Sequence, residues 1–308
     1  MGLLAVTSAA VINPSARAAD STDITTVSSM VSDGYVRTKL ADGSFKPETY
    51  AFGKGGFLSG STRDVTIDKL GFMNIAHVVA FPLAEQNYVP SKNPKTTNLL
   101  VMVYWGTTDG VANASSSVAY QRLESSQIAT APAVSLLTQQ APPDVEMSSC
   151  YTQGRLSEAT MEREVAADNL NNSLAAASLE DDVRIRSDTR NAMLLGYDSK
   201  LAETLGLEHT SLKYSREDLI SEIEDSRYFV VLMAYDFQKT WQAKKPELLW
   251  VTRISVRAQG NEFQKVLPAM TAFASQYFGQ DSHGLLRKPM PDGQIDIGEP
   301  KSLGFVTK

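Results

Sequence analysis

Hydrophobic and polar positions follow their most regular pattern between Tyr228 and Phe278. Tyr228 to Phe237 is a near-continuous apolar run, interrupted at Asp236. That is the composition of a strand covered on both faces, and its length favours a strand over a helix. Farther on, Trp250, Thr252, Ile254, Val256 and Ala258 alternate with Val251, Arg253, Ser255 and Arg257. A period of two predicts a second strand, mostly apolar on one face and carrying two arginines on the other. The period then changes. Phe263, Val266, Leu267, Met270, Phe273, Ala274, Tyr277 and Phe278 recur every three or four residues, which predicts a helix from Asn261 to Phe278. Asn261 is placed to cap it, Gln264 to complete a capping box and Gly279 to stop it.

Upstream, Thr49-Tyr50-Ala51-Phe52 predicts a short strand running into Gly53-Lys54-Gly55-Gly56. The cluster lacks the spacing of a phosphate-binding loop and no helix follows it directly, so it reads as a flexible turn. Asp68 to Gln86 carries a helical stripe through Leu70, Met73, Ile75, Ala76, Val79, Ala80 and Leu83. Asp68 would cap that helix, and Pro82 would kink or shorten its end. Asn87-Tyr88-Val89 and Leu99 to Thr107 follow as strands. Ser115 to Ser149, low in charge and broken by Pro132, Pro142 and Pro143, reads as a mobile connector that is partly helical at best. From Leu156 to Phe229 charges recur at helical spacing and predict about three or four helices, with Ser157 and Ser215 heading two of them.

These elements add up to an α/β protein of the α+β type. Its sheet is expected to be mixed and largely antiparallel, with roughly four to six strands, covered by two helices and interrupted by a helical insertion. Residues 1–18 form a signal peptide in this reading. Residues 19–44, rich in Ser, Thr and Asp, form a poorly ordered mature terminus that pairs weakly at most through Tyr35 to Leu40. A single domain fills 45–308, with the linker and helical insertion at about 115–226. The tail from Gln280 to Lys308, rich in proline and glycine, is expected to run extended over the surface.

Composition narrows the function classes. A chain of 308 residues with 43% hydrophobic content can bury a large core. The net charge of −6 gives no basic footprint for nucleic acid and no polybasic anchor for anionic lipid. One cysteine, Cys150, excludes an intrachain disulfide and a cysteine-rich zinc site, and three scattered histidines argue against a histidine-based one. No cofactor or metal is expected. The N-terminus speaks for export: Leu3 to Ile12 is a short apolar stretch, followed by Ala16-Arg17-Ala18, a small-x-small site for cleavage between Ala18 and Ala19. Only Met1 and Gly2 precede the apolar stretch, so the usual basic lead is missing. No other segment is apolar for the roughly 18 residues that span a bilayer.

Several of these segments, taken in order, resemble a family of uncharacterised bacterial envelope proteins, a domain of unknown function commonly found in lipoproteins. The matching features are Thr49-Tyr50-Ala51-Phe52, the Ile75 to Glu85 helix with Asn87-Tyr88, and Asn98 to Tyr104. Phe229 to Asp236, Leu248-Leu249-Trp250 and the last helix complete the match, over about half of the mature chain. The resemblance implies an α/β envelope domain and no established activity. Two features depart from it: the lipid-bearing cysteine is absent, and the region from about Leu156 to Ser226 has no counterpart.

Few residues offer chemistry. Asp236 ends a buried apolar strand, where it either starts a turn or pairs with Arg253 or Arg257 on the neighbouring strand. His77 lies among apolar residues on a helix, and His209 sits in an expected loop. Asp281-Ser282-His283 has the residue types of a triad, yet adjacent residues do not generally converge as nucleophile, base and orienter. Asp292-Gly293-Gln294-Ile295-Asp296 lacks the spaced ligands of a calcium loop. Cys150, beside Ser148 and Ser149, has no sign of an activated thiol. Trp105 and Trp250 are expected to anchor the core. Trp241 differs: it stands near Lys244 and Lys245 in the connection between two strands, either as an exposed contact residue or folded back onto the sheet.

The favoured function is therefore an exported, non-catalytic envelope or periplasmic protein that binds a protein partner or envelope component. Its expected contact surfaces are the Trp241 connection, with Lys244, Lys245, Arg253 and Arg257, and the helical insertion. The alternative is an exported hydrolase assembled from separated residues such as Asp236, His77 and His283.

Overall fold

A computed structural model of the chain describes residues 24–60, 64–110, 117–138, 149–205 and 210–289. The expected signal peptide with its Ala18–Ala19 junction, His209 and the Asp292 to Asp296 segment lie outside these residues. Seven described strands form one sheet: β1 (Ile24–Val31), β2 (Glu48–Leu58), β3 (Tyr88–Pro90), β4 (Leu99–Thr107), β5 (Arg227–Asp236), β6 (Leu248–Arg257) and β7 (Leu285–Pro289). Their order is β3-β2-β4-β5-β6-β1-β7. β2 runs parallel to β3 and β4, and the remaining neighbours are antiparallel. This is the mixed, largely antiparallel sheet that the pattern predicts, wider by the strands at its β1–β7 edge.

Eight described helices accompany it: α1 (Val65–Asp68), α2 (Phe72–Glu85), α3 (Val118–Thr138), α4 (Ser149–Leu195), α5 (Asp198–Glu203), α6 (Thr210–Glu224), α7 (Phe237–Gln242) and α8 (Phe263–Ala274). On one face of the sheet, Val101, Val230, Leu232, Trp250 and Ile254 pack with Ile75, Val79 and Leu83 of α2 and with Phe263, Leu267 and Met270 of α8. On the other, Phe229, Val231 and Val251 meet Ala192 and Leu195 of α4 and Leu219 and Ile223 of α6. Alternate residues of β5 thus enter two separate cores, which is why its sequence is apolar almost throughout. Each such side chain, fully buried, contributes about 1.5–3 kcal/mol of transfer free energy.

The largest departure from the sequence reading is β1. Its residues were expected in a poorly ordered terminus, but Ile24–Val31 lies between β6 and β7 as an interior strand. Thr25, Thr26, Ser28 and Ser29 are buried, and hydroxyl pairs replace apolar packing: Thr26 Oγ1 lies 2.7 Å from Ser255 Oγ and Ser29 Oγ lies 2.8 Å from Thr252 Oγ1. Buried hydroxyls that find partners in this way avoid the cost of desolvation. The tail supplies β7, which pairs with β1.

Other elements shift locally. The glycine cluster expected as a turn continues β2, with an irregularity between Lys54 and Gly56. A Cβ on Gly53 would lie 2.3 Å from the Met102 sulfur, and one on Gly55 would lie 2.6 Å from the Tyr104 ring. The missing side chains make room for those on β4. The helix expected from Asp68 is broken at Gly71 into α1, capped by Asp64 accepting from the Thr66 N–H at 2.8 Å, and α2, which keeps Pro82 inside it. Ser115 to Ser149, expected as a connector, contains α3. Ser157 and Ser215 lie inside α4 and α6 rather than at their starts. Asn261 does not cap α8; its Nδ2 donates to the Arg257 carbonyl at 2.9 Å, and Glu262 occupies the cap without a side-chain bond. The helix ends at Ala274, and a short 3-10 turn over Ser275–Tyr277 completes the predicted stripe.

Candidate functional site

The helical insertion is an arm with a defined root. α4 stops at Gly196, whose φ of +79° suits glycine, and a Cβ there would stand 2.5 Å from Ser28 Oγ. Glycine thus lets the end of the helix close onto β1. The next residue, Tyr197, is fully buried. Its hydroxyl donates to Glu222 Oε2 at 2.7 Å and lies 3.3 Å from Thr26 Oγ1. Burial raises the pKa of this phenol above its ordinary value, so it stays protonated and able to donate. The other Glu222 oxygen receives Arg287 Nη2 at 2.9 Å. Beneath them the buried Arg227 guanidinium donates through Nε to Ser255 Oγ at 3.1 Å and through Nη2 to the Ile24 carbonyl at 3.2 Å. Asn191 ties α4 to its surroundings through Nδ2, which donates to the Ile223 carbonyl at 3.1 Å and the Asp109 carbonyl at 2.9 Å. This polar seam joins the arm to the sheet, where removing one partner of a buried polar pair is costly.

From that root α4 runs back for 47 residues, about 70 Å on the helical rise. α3 packs along it in the opposite direction: Ser126 Oγ meets Ser173 Oγ at 2.9 Å, while Tyr120 lies under the Arg184 guanidinium. Ala177, Ser173 and Arg184 share the side of α4 that faces α3. A different side carries Met161, Val165, Asn172, Ala176, Leu179 and Val183 at three-, four- and seven-residue spacing. The large apolar members are open to solvent: Met161 is 67% exposed, Val165 60%, Leu179 67% and Val183 65%. Beside this stripe a groove of about 880 Å³ runs between the helices, lined in part by Val118, Gln121, Ser125, Val165, Asn169 and Asn172.

The residues singled out from sequence do not assemble into one site. Asp236 caps α7, accepting from the Lys239 N–H at 2.9 Å, so it starts a turn rather than pairing with either arginine. Arg257 instead pairs with Asp225, Nε to Oδ2 3.2 Å. Arg253 lies under the end of α4, its Cδ 3.0 Å from where a Gly196 Cβ would be; burial pushes its guanidinium pKa down, against the charge of Asp198. Trp241 is 58% exposed and stacks on Phe237, the ring centroids 5.9 Å apart, with Lys244 Nζ 5.7 Å from its ring. Trp241 and the Lys244–Lys245 pair precede β6, whereas Arg257 ends it, about 30 Å farther along the strand. Trp241 on α7 and the two lysines after it form one exposed connection, and the arginines form two separate sites.

His77 is exposed on α2 and meets the edge of Phe81, with centroids 5.4 Å apart. His283 is 90% exposed with its Nδ1 3.6 Å from Asp281 Oδ1. Ser282 is not poised beside it: its Oγ accepts from the Ser29 N–H at 2.9 Å and donates to the Gly284 carbonyl at 2.6 Å. Cys150 belongs to the first turn of α4. Trp105 and Trp250 are buried, and Trp250 stacks on Phe278. Among the described residues no group of three or more His, Cys, Asp or Glu side chains is arranged to hold a metal ion. No described helix is long and apolar enough to cross a membrane.

No protein-family model matches the chain, and no curated protein matches it either. Among solved structures the chain is similar to a PDZ domain protein from Parabacteroides distasonis ATCC 8503, with 12% identity and a TM-score of 0.34. The alignment takes in 86% of this chain and 39% of that one. At this score the likeness assigns neither a fold family nor a function.

The exposed feature that the described geometry offers is the α4 stripe beside its groove. The sequence reading named the insertion as a contact region but missed which residues form its face. The spacing from Met161 to Val183 was the available signal. The seam of Tyr197, Glu222 and Arg227 had no local signal, because its members come together from the junction of α4 with α5, from α6 and from β5.

Proposed function

We propose that this is an exported, non-catalytic envelope or periplasmic protein that binds a protein partner through its helical arm, with the exposed Trp241 turn as a second contact. One observation carries the reading: the aligned solvent-exposed stripe of Met161, Val165, Leu179 and Val183 beside an open groove. Single exposed apolar residues are ordinary on protein surfaces, but a row of them along a helix forms a docking face. The apolar stretch from Leu3 to Ile12 and the Ala16-Arg17-Ala18 site support export. A hydrolase built from Asp236, His77 and His283 gains nothing from the geometry, since the first caps a helix and the two histidines are exposed on separate elements.

Fractionation of native-host cells, followed by intact mass and N-terminal sequencing, tests the export half of this reading. The expected product is a chain beginning at Ala19 outside the cytoplasm. An uncut cytoplasmic chain would contradict it.

A further inference from the structure

Resting on the reading of the arm as a contact surface, we infer that its occupant is a second copy of this chain, packed through α4 in antiparallel orientation about a two-fold axis at the level of Ala177. The stripe itself supplies the apolar part. From Met161 to Arg190, α4 presents Met161, Val165, Asp168, Asn172, Ala176, Leu179, Val183, Arg186 and Arg190 within one side of the helix. The repeat is close to eleven residues, with Met161, Asn172 and Val183 in register, so it follows a nearly straight helix without the drift of a seven-residue pattern. About 30 residues of such a face extend for about 45 Å. Small residues at its middle, Ala175 and Ala176, allow two helices to approach closely.

Charge decides the orientation. On the stripe and at its edge, acidic Glu164 and Asp168 lie in the half near Met161, and basic Arg186 and Arg190 lie in the half near the root. Glu164, Asp168 and Arg186 are exposed and form no ion pair with another described residue; Arg190 stands 3.9 Å from Asp109 in a loose exposed contact. A parallel second helix would place acid against acid and base against base. An antiparallel one centred at the level of Ala177 sets Asp168 against the other copy's Arg186 and Glu164 against its Arg190. By symmetry each contact occurs twice, as in an isologous interface. Such charges select partner and orientation more than they add affinity.

A charge exchange tests the assignment on the whole chain. The purified protein is expected to sediment as a dimer whose population rises with concentration. Asp168→Arg and Arg186→Asp, each alone, place like charges opposite one another twice per dimer and are expected to weaken association about tenfold or more. The double variant Asp168→Arg with Arg186→Asp restores opposite charges between copies and is expected to recover most of that loss. All substituted positions are exposed, so circular dichroism should show unchanged helix content. A monomer at every concentration up to about 100 μM, an affinity too weak to matter for a specific dimer, would overturn the inference. So would a dimer indifferent to the single exchanges, or one that the double variant fails to rescue. A monomeric chain whose arm crosslinks to a different protein in cells would also overturn it while leaving the contact-surface reading in place; absence of any arm adduct would remove both.

Discussion

Removing one oxygen from Tyr197 tests how the arm is held at its root. The hydroxyl bridges from the end of α4 to Glu222 on α6 and approaches Thr26 on β1. In Tyr197→Phe the ring still fills the same space, and Glu222 keeps Arg287 on its other oxygen. The expected loss is about 1–3 kcal/mol, the cost of leaving a buried polar partner unmade, read as a lower denaturation midpoint with little change in the slope. A variant as stable as the natural chain would show that the seam's hydrogen bond is replaceable by water. None of this was visible in sequence: Tyr197 stands between α4 and the short charged helix α5, and nothing local marks it as buried. Trp250 was legible because its apolar neighbours repeat every second residue, whereas Tyr197 owes its burial to groups far away in the chain.

At the scale of elements, legibility followed the number of apolar partners. β5, β6 and α8 were readable because each presents regular apolar faces to a core. β1 was hidden by Thr25, Thr26, Ser28 and Ser29, whose buried hydroxyls pair across strands and leave a composition that resembles a disordered terminus. α3 was hidden by its low-charge Ser, Ala and Thr content and by Pro132. The interface of α4 with α6 carries its own prediction. Asp188 has its Oδ1 buried without a hydrogen-bond partner in the described structure. Burial first, and then the charge of Glu224 on α6, push its carboxyl pKa up from 3.8 to about 6, against the pull of Arg184. The folded chain therefore holds this proton more tightly than the unfolded one. The associated stability is fully present below the unfolded value of 3.8 and is lost as pH rises through about 6. Asp188→Asn is expected to melt higher than the natural chain at pH 8 and to lose that advantage near pH 4. Thermal melts across this range check it; an equal difference at both ends would contradict the assignment.

The whole molecule is a sheet with a core on each face and a long two-helix arm rooted in a polar seam. α2 and α8 close one face, while the root of the arm closes part of the other. The α+β class was legible from periodicity because both cores depend on repeated apolar positions. The exposed stripe was only partly legible: the insertion could be located, but which side of α4 remains exposed depends on where α3 packs. In the proposed reading, that arrangement separates the packed sheet and root, which carry the buried contacts, from the exposed stripe, which would carry recognition. Substitutions such as Tyr197→Phe should therefore act on unfolding, whereas exposed changes on α4 should act on association.

The most direct measurement is in-cell photocrosslinking from a reactive side chain placed at Leu179 on α4, with Lys265 on α8 as the comparison position. The account predicts a discrete protein adduct from position 179 and none from position 265. A chain that is expressed and folded yet gives no adduct from position 179 would contradict the claim that the arm is a protein-binding surface.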